Sequence, residues 1–88
     1  MHLLLEIVNE KGLHARASAK FVETVERFDA SALVSRDGME VSGDSIMGLL
    51  MLGAGPGTSI EVTVEGAEAA PLAEALRALV AGRFGEAS

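Results

Sequence analysis

Seven residues, Ser59-Ile60-Glu61-Val62-Thr63-Val64-Glu65, alternate apolar and polar almost without a break. In extended backbone successive side chains point to opposite faces, so Ile60, Val62 and Val64 line one apolar face that something must cover. The chain has 88 residues and no cysteine, so that cover comes from packed side chains and not from disulfides. Leu3, Leu5 and Ile7 repeat the period of two, with Leu4, Glu6 and Val8 between them, and give a strand ending near Val8. Two shorter strands, Ala32 to Ser35 and Met39 to Val41, flank Arg36-Asp37-Gly38, where Asp-Gly signals a hairpin because both residues tolerate positive φ.

Between the strands the period changes. Ala15, Ser18, Phe21, Val22, Val25 and Phe28 fall at three- and four-residue steps and predict an amphipathic helix from about His14 to Arg27. Gly43-Asp44-Ser45 offers caps for Ile46 to Leu52, a short segment apolar on every side. A last helix follows Gly66, with Pro71 in its first turn and a stripe of Leu72, Leu76, Leu79, Val80 and Phe84. The order is βαββαβα, which predicts an α+β two-layer sandwich: helices on one face of a mainly antiparallel sheet. We expect a single domain over residues 1–88, with Gly82 to Ser88 fraying.

Composition excludes several function classes. The formal net charge is −6, with no Trp, no Tyr and three Phe, so the cationic footprint and stacking platforms of nucleic-acid binders are missing. Without cysteine, and with two histidines twelve positions apart, no metal-ligand spacing is present. No two carboxylates pair as an acid/base couple, and no cofactor is implied. Gly53-Ala54-Gly55-Pro56-Gly57 lacks the lysine and Ser/Thr of a phosphate loop and reads as a helix stop and turn. The N-terminus lacks the pattern of a signal peptide, and no apolar run reaches membrane-spanning length, so we expect a cytoplasmic protein with no membrane partner.

Gly12-Leu13-His14-Ala15-Arg16 sets a histidine where a turn becomes a helix. The first helical N–H groups have no internal partner and the macrodipole is positive there, so an anion on His14 meets donors in place at Ala15, Arg16 and Ala17. Arg16 adds a guanidinium for phosphate oxygens. An imidazole is a nucleophile when neutral and a good leaving group when protonated. From Asn9 to Lys20 the bases Lys11, Arg16 and Lys20 outnumber the one acid, Glu10, against the sign of the whole chain. These properties suit a residue that accepts and releases a phosphoryl group, although a capping histidine followed by a solvated arginine explains the spacing equally well.

Gly12-Leu13-His14-Ala15-Arg16-Ala17-Ser18-Ala19, with Asp44-Ser45-Ile46-Met47-Gly48-Leu49 some thirty residues on, resembles the HPr family, the histidine-containing phosphocarriers of the bacterial phosphoenolpyruvate-dependent phosphotransferase system. The resemblance spans the whole chain and implies an open-faced β-sandwich with strand order 1-4-2-3. It implies phosphoryl transfer from enzyme I to Nδ1 of His14 and onward to an enzyme IIA domain, assisted by Arg16. It also implies phosphorylation of Ser45 by an HPr kinase in some branches, and a docking face formed by Met47, Leu50, Met51 and Lys20. Such a carrier is a transfer intermediate and not a stand-alone enzyme, and we expect a monomer.

Two residues depart from the family pattern. Ala17 stands where proline is usual, which loosens the first turn slightly but supplies another N–H. Asp44 stands where many relatives have lysine and would repel a phosphate on Ser45, a residue that also reads as a helix cap. Two other functions stay open at this point: a mainly regulatory carrier of the nitrogen or metabolic-control branch, and a small interaction domain in which His14 is structural.

Overall fold

The computed structural model describes residues 1–88. Four strands, β1 (His2–Glu6), β2 (Ser31–Arg36), β3 (Met39–Ser42) and β4 (Ser59–Glu65), form one sheet in the order β1-β4-β2-β3. Every neighbouring pair is antiparallel. The strand with the cleanest alternation is central. Val62 lies opposite Leu3 on one side and Val34 on the other, Ile60 opposite Leu5, and Val64 opposite Ala32. All of these side chains are buried. Asp37 (φ 50°) and Gly38 (φ 82°) turn β2 into β3 through the left-handed region, as the Asp-Gly pair requires.

Three helices, α1 (Ala15–Glu26), α2 (Ile46–Met51) and α3 (Ala69–Ala81), cover the apolar face. They contribute Phe21, Val22, Val25, Leu49, Leu72, Leu76 and Val80 to a single core cluster with the strands. The other face is open. Leu4 and Leu33 stand exposed on it, and His2 bridges Thr63 Oγ1 at 2.9 Å and Glu61 Oε2 at 3.2 Å.

Two expectations change. The buried stripe of α1 contains Ala17 and not Ala15. At 3.6 residues per turn the arc centred on Phe21 and Val25 leaves Ala15 about a third of a turn away, facing solvent. The C-terminal segment does not fray: α3 ends at Ala81 and a short 3-10 turn, Arg83–Gly85, follows. Phe84 therefore lies outside the helical stripe, yet it is fully buried in the core and anchors the tail.

Candidate functional site

The turn that delivers His14 is held from three sides. Asn9 is fully buried; its side-chain amide donates to the Gly12 carbonyl at 2.8 Å, while the Gly12 N–H donates to the Asn9 carbonyl at 3.1 Å. Gly12 takes φ +69°, and a Cβ there would lie 2.6 Å from the Ala54 carbonyl oxygen, so only glycine lets the two loops touch. The next N–H, that of Leu13, donates to that same carbonyl at 2.9 Å. The 53–57 segment is thus a backbone buttress for the histidine turn.

His14 is the N-cap of α1, extended at φ −78°, ψ −175°. Its Nδ1 accepts the Arg16 backbone N–H at 3.2 Å, and Ser18 N–H donates to the His14 carbonyl at 2.8 Å. The N–H groups of Ala15 and Ala17 have no intramolecular acceptor. An amide N–H can only donate, so Nδ1 is the unprotonated nitrogen of the neutral ring and its lone pair faces the start of the helix. The ring is half-buried, with 28% of the side chain exposed.

The other ring nitrogen meets a residue that sequence reasoning missed. His14 Nε2 lies 2.5 Å from Glu86 Oε2, and the Asn9 side-chain amide donates to Glu86 Oε1 at 3.0 Å. Hydrogen bonds from Asn9 and then from His14 hold the Glu86 carboxyl below its ordinary value near 4.5, with the charges of His14 and Lys11 adding to the effect and burial opposing it. Glu86 arrives there through a strained turn: Arg83 (φ 59°) and Phe84 (φ 55°) both occupy the left-handed region, at about 1 kcal/mol or more each. The burial of Phe84 and a 2.6 Å hydrogen bond from Lys20 Nζ to its carbonyl hold that turn in place. Phe84 was the one sign in the sequence that the chain stays docked beyond α3.

Lys11, His14, Ala15, Arg16 and Glu86 line an open cleft of about 300 Å³. Neither Lys11 nor Arg16 is spent on an ion pair, so both cations are free to meet an anion at Nδ1. A larger cleft of about 480 Å³, between α1 and α3, is lined by Lys20, Glu23, Thr24, Arg27 and Leu79 and contains no histidine. Lys20 is half-buried and its ammonium braces the Glu86 turn.

The remaining residues singled out from the sequence lie on α2. Ser45 caps it, accepting the Gly48 N–H at 3.0 Å, beside Asp44, which accepts from the Ser42 hydroxyl at 2.6 Å. Only Leu49 of this helix is buried. Met47 and Met51 are 70% and 65% exposed, and Leu50 is half-buried. A six-residue helix apolar on every side turns one face into the core and leaves flexible thioethers on its outer face.

A family model described as the PTS HPr component phosphorylation site matches residues 4–82. The phosphocarrier protein HPr of Neisseria meningitidis serogroup A is 48% identical over 82 residues, covering 93% of this chain and 92% of that protein. The phosphocarrier protein NPr of Shewanella violacea is 39% identical, covering 93% and 90%. Among solved structures, HPr from Thermoanaerobacter tengcongensis superposes with a TM-score of 0.94 at 35% identity, covering 100% of this chain and 99% of the other. A dimer of HPr from that organism superposes at 0.78 and 38% identity, covering 93% and 94%. The sheet order, the capping histidine with its free amides, and a family match that runs through both agree: this chain belongs to the HPr family of phosphocarriers of the phosphotransferase system.

Proposed function

We propose that His14 is the phosphoryl acceptor, loaded at Nδ1 by enzyme I and unloaded to an enzyme IIA domain. One observation carries this reading: Nδ1 faces the N-terminal amides of α1, with the Arg16 N–H 3.2 Å away. In loading, the Nδ1 lone pair forms a bond to phosphorus and the bond from phosphorus to the donor breaks, its electron pair leaving with the donor. The new phosphoryl oxygens then take the N–H groups of Ala15, Arg16 and Ala17, and the Arg16 guanidinium shares their charge. Holding is moderate, because binding phosphohistidine more tightly than the transfer transition state would trap the group.

Residues 1–88 act as one phosphocarrier domain, a single copy in the cytoplasm, with Met47, Leu50, Met51 and the Lys20 side of α1 as the docking face. Exposed thioethers on α2 suit brief contacts with several partners. Ser45 combines capping with a regulatory role: an HPr kinase, where one is present, phosphorylates it, and Asp44 weakens the resulting site by repulsion.

Phosphoenolpyruvate and enzyme I are expected to add one acid-labile phosphoryl group, read by mass, that is absent in His14→Ala. An unlabelled wild-type protein would favour the interaction-domain reading instead.

A further inference from the structure

Glu86 touches the ring nitrogen that does not react. It lies outside the matched family region, residues 4–82, and two left-handed residues bend the chain to bring it there. Only 17% of its side chain is exposed. The buried Asn9 amide fixes one carboxylate oxygen at 3.0 Å and leaves the other 2.5 Å from His14 Nε2.

We propose that Glu86 is a positioning residue for phosphoryl transfer: its carboxylate, held by Asn9, keeps a proton on Nε2 of His14 through both halves of the cycle. The proposal rests on the carrier reading of His14 and deepens it. In the unloaded ring, Nε2–H donates to Glu86 and Nδ1 is left as the one nucleophilic nitrogen. When Nδ1 bonds to phosphorus the ring becomes a cation, and Glu86 supplies the opposite charge across from the phosphoryl group. When an acceptor's nucleophile takes the phosphorus, the electron pair of the breaking bond returns to Nδ1 and neutral imidazole departs. If Nε2 had lost its proton beforehand, the leaving group would be imidazolate, a far poorer one.

The other charges near this pair do not replace Glu86. Lys11 and Arg16 are cations lining the same cleft and offer no acceptor for Nε2–H. Glu10 is tied to Ser88, which donates its hydroxyl at 2.8 Å. Lys20 is held on the Phe84 carbonyl.

The test compares wild type with Glu86→Gln, which keeps size and an acceptor for Asn9 but removes the charge. Both proteins are loaded with phosphoenolpyruvate and enzyme I, and the phosphorylated ring is titrated by 31P and ring 15N NMR. The expected result in Glu86→Gln is that phosphoryl transfer on the alkaline side of the profile falls about tenfold and that the ring 15N signals of the loaded protein move toward the form without a proton on Nε2. In unloaded Glu86→Ala, ring 15N shifts are expected to move from the Nε2–H form toward a mixture of tautomers. An unchanged titration in Glu86→Gln, with His14 still labelled in both proteins, overturns the positioning role and leaves the carrier reading standing. A wild type that takes no label overturns both.

Discussion

At the scale of single residues, the site depends on which way each group can donate. Nδ1 of His14 accepts because the Arg16 amide can do nothing else, and Nε2 faces a carboxylate. The depressed Glu86 pKa sets a sign for acid stability. A carboxyl whose folded pKa lies below its ordinary value near 4.5 contributes stability that is fully present above that value and is lost as pH falls through the folded pKa. Urea midpoints of wild type and Glu86→Gln should therefore differ at neutral pH and converge in acid. A gap that persists at the lowest pH would show that the carboxylate's charge is not what contributes. Ala17 makes the opposite case, because its N–H has no intramolecular acceptor and proline in that place removes no hydrogen bond from the fold. Ala17→Pro is expected to leave the phosphoryl-transfer rate within a few-fold of wild type; stopped transfer kinetics measure it, and a gain of orders of magnitude would show that the free amide hinders the reaction.

Among elements, two loops and one short helix matter most. The Gly12 turn and the 53–57 loop meet backbone to backbone, with no room for a side chain between them. Gly12→Ala combines positive φ with a 2.6 Å approach to the Ala54 carbonyl, and is expected to cost about 2–3 kcal/mol, measured by denaturant unfolding. Phosphoryl acceptance should fall with it, since Leu13 and His14 move with the turn. The helix α2 shows how far sequence reading reaches. An apolar run on every side of Ile46–Met51 requires some of it to stay outside, and both Met47 and Met51 do. Which of them protrude was not legible, because helical spacing has no reference direction until Leu49 packs into the core. The same limit moved Ala15 out of the buried stripe of α1 and Ala17 into it.

Across the whole molecule, the candidate site joins segments far apart in the chain. The turn after β1 provides Asn9 and His14, and the segment after α3 provides Glu86, 72 residues from the histidine. Phe84 links this junction to the core, being fully buried two residues before Glu86. Phe84→Ala is expected to destabilise the fold by about 3–5 kcal/mol and to release Glu86 from His14. Calorimetry reads the first effect and the His14 ring 15N shifts read the second; an undisturbed ring in that variant would mean that Asn9 alone holds the carboxylate. Short-range order was decided by the amino-acid sequence itself. Alternation placed Ile60, Val62 and Val64 on one face, Asp37-Gly38 turned the hairpin, and His14 and Ser45 stood at helix starts, because each depends only on neighbours a few bonds away. The carboxylate on His14, the lysine brace at Phe84 and the loop buttress behind Gly12 were decided by tertiary structure alone. Each joins residues far apart in the chain, and local periodicity holds no information about which distant surfaces a packed core will bring together.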